Sequence, residues 1–156
     1  MSEFTMQREP LVDHLNALIE LDLDAIEAYE AAIARLKDPG DRARLEGFLR
    51  DHRRHVTDLT ILVEQRGAVA ASHPDFKRVL TKGKVVLAGV AGDRAVLEAM
   101  RSNETTTTKT YEKAARDPSL PADARMVVER NFADEARHYA WIDQRLGRAS
   151  AAHLTR

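Results

Sequence analysis

Across a separation of about half its length, this chain repeats itself in kind. Asp22 and Tyr29, then His52 and His55, are answered by Glu104 and Tyr111, then Glu135 and His138. The first pair is offset by 82 residues and the second by 83, so the two halves stay almost in register. An acid, a tyrosine and a histidine kept in step over that distance describe a duplicated helical hairpin whose halves share a polar site. A metal site is the leading functional reading.

Turn residues mark the helix boundaries. Pro10 suits the first turn of a helix, where its missing N–H is no loss, and Asp38-Pro39-Gly40-Asp41 ends that helix and caps the next. Helix one is therefore expected over about 10–37, after an N-terminal extension of residues 1–9. Helix two is expected from about 39 to Arg66, closed by a left-handed Gly67. Residues 67–92 read as a crossover, in which Ser72-His73-Pro74-Asp75 opens a short helix with Phe76, Val79 and Leu80 on its apolar face. Asp93 is expected to cap a third helix running to about Arg116. Asp117-Pro118-Ser119-Leu120-Pro121 makes a turn, and helix four runs to Leu146, leaving a polar tail at 147–156. Two short turns and one long connection specify an all-α four-helix bundle over residues 10–146.

Composition agrees and excludes much else. The 156 residues suit one core, and 44% apolar with 31% charged residues fits a helical globular chain. A net charge of −1 exerts no general pull on nucleic acid or an anionic membrane. Arg42, Arg44, Arg50, Arg53 and Arg54 are interleaved with Asp41, Glu46, Asp51 and Asp58, which reads as a solvated charged face rather than a DNA groove. The apolar run from Val85 to Val90 is too short to span a bilayer, and Glu3, Arg8 and Glu9 interrupt any signal-peptide core, so the expected location is cytoplasmic. With no cysteine there is no disulfide, thiolate nucleophile, iron–sulfur cluster or cysteine-ligated zinc. Any metal must sit on histidine and carboxylate.

The buried seams can be written from the helical period. They are Leu15, Ile19, Asp22, Ile26, Tyr29, Ile33 and Leu36 on helix one, and Leu45, Phe48, His52, His55, Leu59 and Leu62 on helix two. Helix three contributes Leu97, Met100, Glu104, Thr107 or Thr108, Tyr111 and Ala115. Helix four contributes Val128, Phe132, Glu135, His138, Ile142 and Leu146. Asp22 and His55 are equally far from the first turn, and Glu104 and Glu135 from the second, so one layer holds all the polar residues. Unpaired buried carboxylates cost several kcal/mol or more each, so Asp22, Glu104 and Glu135 need protons, cationic partners or a metal. Three imidazoles beside them make divalent ions the simplest answer. Thr105 to Thr108 read as close packing or polar lining near Glu104, while His14, His73 and His153 lack partners at ligand spacing and read as surface residues.

An acid followed seven positions later by tyrosine, twice, and Glu135-Ala136-Arg137-His138 on helix four resemble the ferritin-like superfamily, the diiron four-helix bundles that include rubrerythrins and bacterioferritins. The run Lys84-Val85-Val86-Leu87-Ala88-Gly89 leading to Asn103-Glu104, with Asp134-Glu135-Ala136-Arg137-His138, is similar to a bacterial ferritin-like family, domain of unknown function 2383. The resemblance implies two iron ions, with Asp22 and Glu104 as terminal ligands, Glu135 as a bridge, His55 and His138 as imidazole ligands, and Tyr29 and Tyr111 holding ligand carboxylates. It implies ferrous oxidation or chemistry with oxygen or peroxide.

Helix two departs from that pattern, because His52-Arg53-Arg54-His55 stands where the family has Glu-x-x-His. Asp51 is about 100° around the helix and does not supply the missing carboxylate. Three acids leave two divalent ions with about one uncompensated positive charge. The set therefore also suits zinc, manganese or a single metal. Without cysteine, the chain does not read as a self-contained rubrerythrin peroxidase, and its short polar tail does not read as the last helix of a storage cage. The rival reading is a metal-free or zinc-binding bundle acting as a structural, interaction or stress-response module. Phe76, Val79, Leu80, Val85 and Val86 of the crossover offer either a cover for the bundle or a homodimer contact.

Overall fold

The computed structural model describes residues 3–74 and 91–147, with side chains from residue 8 onward. Four long helices follow in order: α1 (Glu3–Arg35), α2 (Pro39–Glu64), α3 (Asp93–Ala115) and α4 (Ala122–Arg145). The short crossover helix and apolar residues expected after Pro74, and the tail with His153, lie outside the described residues. Among the described residues no helix is long and apolar enough to cross a membrane.

The short turns form for the expected reasons. Asp38 is the N-cap of α2, its carboxylate accepting the Asp41 amide at 2.8 Å, with Pro39 in the first turn. Gly67 just beyond α2 has φ of 70°, the left-handed conformation a glycine adopts without a steric penalty. Two boundaries differ from expectation. α1 begins at Glu3 and carries Pro10 inside it, because proline's fixed φ is helical and its ring removes only one backbone hydrogen bond near the helix start. Asp93 is the first residue of α3 rather than its cap, which is Gly92. Its carboxylate accepts the amides of Lys37 and Asp38 at 2.9 and 2.8 Å, tying the α1–α2 turn to the start of α3.

α1 packs most extensively on α2, and α3 on α4, while α1 with α3 and α2 with α4 complete the square. The second pair of seams is antiparallel: Tyr29 meets Glu104 while Asp22 meets Tyr111, and His55 meets Asp134 while Asp51 meets His138. Two apolar clusters fill the bundle. One, near the α1–α2 turn, includes Leu36, Leu45, Phe48, Met100 and Ile142. The other, towards the α3–α4 turn, includes Leu15, Ile19, Leu59, Leu62 and Val128. A polar layer lies between them, closed above and below by hydrocarbon.

The seams of α1, α3 and α4 are rotated slightly from the expected ones. Ala25 and Ala32 are buried where Ile26 and Ile33 were expected, Ala114 replaces Ala115, and Asn131 replaces Phe132, the displaced residues remaining partly buried at the edge. Small residues facing inward let the helices approach closely beside a layer of short polar contacts. Replacing Asp38 by alanine removes the α2 cap and is expected to destabilise the fold by about 1 kcal/mol, read as a drop in thermal midpoint of roughly 2–4 °C.

Candidate metal centre

Asp22, His52, His55, Glu104, Glu135 and His138 converge in the polar layer, and each is fully buried. α1 and α3 supply one acid each, α2 two imidazoles, and α4 a carboxylate and an imidazole three residues apart on one face. Tyr29 donates to Glu104 Oε1 and Tyr111 donates to Asp22 Oδ2, both at 2.5 Å. Each tyrosine thus serves the acid of the opposite hairpin, which gives the sequence repeat its three-dimensional meaning as a local pseudo-twofold.

His52 occupies the middle. Its Nδ1 lies 2.8 Å from Asp22 Oδ1 and 3.4 Å from Glu135 Oε1, while its Nε2 faces Glu104 Oε1 at 3.6 Å. His55 Nδ1 is 3.2 Å from Asp22 Oδ1 and 3.4 Å from Glu135 Oε1. On the other side, His138 Nδ1 is 3.9 Å from Glu104 Oε2. These donors form two overlapping quartets, Asp22, His52, His55 and Glu135, and His52, Glu104, Glu135 and His138, each with ligand atoms within 4.8 Å of one another. Glu135 and His52 belong to both.

Both Glu135 oxygens, His52 Nε2 and His138 Nδ1 have no hydrogen-bond partner among the described residues. A buried carboxylate without good hydrogen bonds is costly, and imidazole nitrogens facing the same interior, once deprotonated, complete a donor set of the hard and borderline type that divalent iron, manganese and zinc accept. The residues present therefore fit a metal.

The charges are mutually dependent. Burial alone would raise the Asp22 carboxyl, but His52 and His55 outweigh it and hold it below the ordinary range. Glu104 is lowered against burial in the same way by His52 and His138. Burial and the neighbouring Glu104 and Asp22 charges raise Glu135, with His52 opposing. Burial disfavours charge on the imidazoles too, yet facing carboxylates lift His52 well above its usual value and His55 to about 9. Burial beside an acid also drives both tyrosines far up, keeping them neutral donors.

Sequence reasoning missed the residues behind the imidazoles. His138 Nε2 is 2.9 Å from Asp51 Oδ2, and His55 Nε2 is 3.1 Å from Asp134 Oδ2. Asp51 joins neither quartet, in keeping with its position around α2, and acts on the far side of an imidazole instead. The signal was present: Asp51-His52-Arg53-Arg54-His55 and Asp134-Glu135-Ala136-Arg137-His138 share Asp-x-x-Arg-His at the same offset of 83. Asn131, fully buried, donates to the Tyr111 hydroxyl at 3.4 Å. Thr107 approaches Glu104 Oε2 at 3.4 Å, and Thr108 bonds the Glu135 carbonyl across to α4, so the threonine run both lines the layer and joins helices. His14 is half-exposed near Asp117 and His73 is exposed, both away from the layer.

Fold and layer together define a ferritin-like four-helix bundle. Among solved structures, a ferritin-like diiron-carboxylate protein from Bacillus anthracis is similar at a TM-score of 0.74 and 22% identity, covering 94% of this chain and 99% of that one. A conserved hypothetical protein, rv2844, from Mycobacterium tuberculosis is similar at 0.67 and 17%, covering 92% and 98%. A dodecameric thioferritin, the bacterioferritin-related protein of Bacteroides fragilis, is similar at 0.71 and 15%, covering 95% and 90%. At these identities the likeness establishes the fold. The family described as domain of unknown function DUF2383 matches residues 11–117, and the chain belongs to it. No curated protein matches the chain.

The raised imidazoles set a pH dependence for the metal-free protein. A folded-state pKa above the unfolded value means stability that is complete below about 6.5 and is lost as pH rises through about 9, for His55 facing Asp22, Glu135, His52 and Asp134. The raised Glu135 acts in the same direction. The thermal midpoint of chelator-treated protein is expected to fall between pH 7 and pH 9.5, measured by circular dichroism; a flat profile would show that the imidazolium–carboxylate contacts do not stabilise the fold.

Proposed function

We propose that the chain binds two divalent metal ions in the buried layer, with iron the foremost candidate. The observation that carries this reading is Glu135, whose two oxygens make no hydrogen bond, with imidazole nitrogens no nearer than 3.4 Å, at the overlap of two four-residue donor sets. Asp22 and His55 would hold one ion, Glu104 and His138 the other, and Glu135 would bridge them. The similarity in fold to the diiron-carboxylate protein of Bacillus anthracis is consistent with this assignment. Two ferrous ions bound there would supply electrons for the reduction of oxygen or peroxide, in metal homeostasis or defence against oxidants.

The chain's own residues provide a dry, prearranged cage. The two apolar clusters exclude water from above and below, which strengthens every charge interaction in the layer. Tyr111 holds Asp22 Oδ2 and leaves Oδ1 to face His52 and His55, while Tyr29 holds Glu104 Oε1 beside His52 and leaves Oε2 towards His138. His52 makes the two positions unequal. A neutral imidazole has one nitrogen lone pair, so His52 ligates through Nδ1 or Nε2 but does not bridge closely spaced ions as a carboxylate does. His52 would therefore give one ion an extra ligand, while the two ions together would keep about one uncompensated positive charge.

A second reading rests on the 2.8 Å contact of His52 with Asp22, which pairs imidazole and acid directly. In that reading the bundle is metal-free, or holds a single zinc or manganese ion, and serves as a structural or interaction module. Elemental mass spectrometry on untagged protein, purified without chelator from cells given iron, manganese and zinc, separates the two. About two ions per chain, bound in two resolved steps on titration, is the expected result. Replacing His52 by glutamate is expected to restore the bridging carboxylate and bring the two steps closer together. No bound metal, even after anaerobic addition of ferrous ion, would sink the metal reading.

A further inference from the structure

On the outer face of the α2–α4 seam, four side chains form a closed ring of alternating charge. Arg54 pairs with Asp51 at 3.2 Å and also with Asp134. Arg137 pairs with Asp51 at 2.6 Å and with Asp134 at 3.1 Å. The ring obeys the pseudo-twofold of the sequence, since Asp51 and Asp134, and Arg54 and Arg137, are each 83 residues apart. Every carboxylate therefore meets both guanidinium groups, and each also meets one buried imidazole of the opposite helix, Asp51 with His138 and Asp134 with His55. The arginines are half-exposed, whereas the imidazoles behind the aspartates are fully buried.

We propose that Arg54 and Arg137 are positioning residues for the metal centre, acting through Asp51 and Asp134 on His138 and His55. The proposal rests on the two-ion reading above, because its object is the direction in which each imidazole faces a metal. In the neutral imidazole that would ligate a metal, a carboxylate accepting from Nε2–H selects the tautomer whose lone pair is on Nδ1, the nitrogen turned inward, where His55 Nδ1 faces Asp22 and Glu135, and His138 Nδ1 faces Glu104. Asp51 and Asp134 are only partly buried, at the edge of the bundle. The paired guanidinium groups hold each one against its imidazole with charge-assisted bonds from two directions. Arg137 is braced in turn, with its guanidinium 5.8 Å above the Phe48 ring, which stacks 4.2 Å from His138. Both arginines touch both aspartates, so the loss of one arginine loosens both imidazoles, and the ring couples the two ion positions from outside.

Arg54→Gln, Arg137→Gln and the double variant test this, with Arg→Lys at both positions as the conservative control. Zinc affinity is measured by chelator competition, coordination by the visible spectrum of the cobalt(II)-loaded protein, and fold stability by melting of the chelator-treated protein. The double glutamine variant is expected to bind zinc about 10–100-fold more weakly and to show an altered cobalt spectrum. Its metal-free melting temperature is expected to stay within about 2 °C of the parent, because exposed ion pairs contribute little to stability. The lysine variant is expected to recover part of the affinity, since it keeps charge but not the two-armed contact. Unchanged affinity and spectrum in the double glutamine variant would overturn the positioning role and leave the metal reading standing. A metal-free melting loss that accounts for the whole affinity change would mean that the ring is a structural staple only. Failure of the parent protein to bind zinc or cobalt would remove the metal reading and this role with it.

Discussion

Three carboxylates and three imidazoles in one solvent-free layer set the terms for everything else in this bundle. Buried without partners, Asp22, Glu104 and Glu135 would each oppose folding by several kcal/mol or more. The layer instead distributes charge: Asp22 and Glu104 are held ionised by imidazoles, while Glu135 resists ionisation because it is buried and, to a lesser degree, because the other two acids face it. Such an arrangement survives only where water and stray charge are kept away. Hence the two apolar clusters on either side, the alanines that bring helices close, and tyrosines rather than lysines or arginines as the donors inside the layer. A tyrosine hydroxyl gives a carboxylate a hydrogen bond without adding a further ion to be desolvated.

Much of this was legible in the sequence, because a helix converts spacing directly into position. The order of the four bundle helices, the Asp38 cap, the burial of all six candidate ligands and both tyrosines, and their common height follow from period and turn residues alone. What escaped was decided by the partner helix. Periodicity leaves Ala25 and Ile26, Ala114 and Ala115, or Asn131 and Phe132 nearly equivalent, and only the approach of the facing helix selects between neighbours about 100° apart. The start of α1 was misplaced because a proline that opens a helix and one tolerated inside it look alike in one sequence. Asp51 and Asp134 were missed for a different reason: they sit off the buried stripe, Asp51 read as part of a charged face and Asp134 only as part of a motif, and they meet the histidines only because α2 and α4 lie antiparallel at the matching height.

His52 is the point at which the pseudo-twofold is broken. Around it the halves correspond pair by pair, with Asp22 and Glu104, Tyr29 and Tyr111, His55 and His138, and Asp51 and Asp134. At this position an imidazole on α2 stands opposite a carboxylate on α4, and the two residues share both donor sets. The exchange turns a like-charge pair into an attractive one, which eases the metal-free state, and it removes a negative charge that two divalent cations would use. The same residue thus favours the metal-free layer and would make a metal-loaded one unsymmetrical.

The two seams that face each other across the layer use different physics for the same task. On α1–α3, where the partners of the acids are fully buried, the contacts are neutral hydroxyls on carboxylates. On α2–α4, where the partners of the imidazoles reach the surface, they are carboxylates held by guanidinium groups. Reversing the assignment would place four more ions in the dry interior and leave neutral tyrosines competing with water outside. The charged ring is therefore confined to the side where its arginines reach solvent, and the rigidity it gives to His55 and His138 is gained at the desolvation cost of the two partly buried aspartates alone.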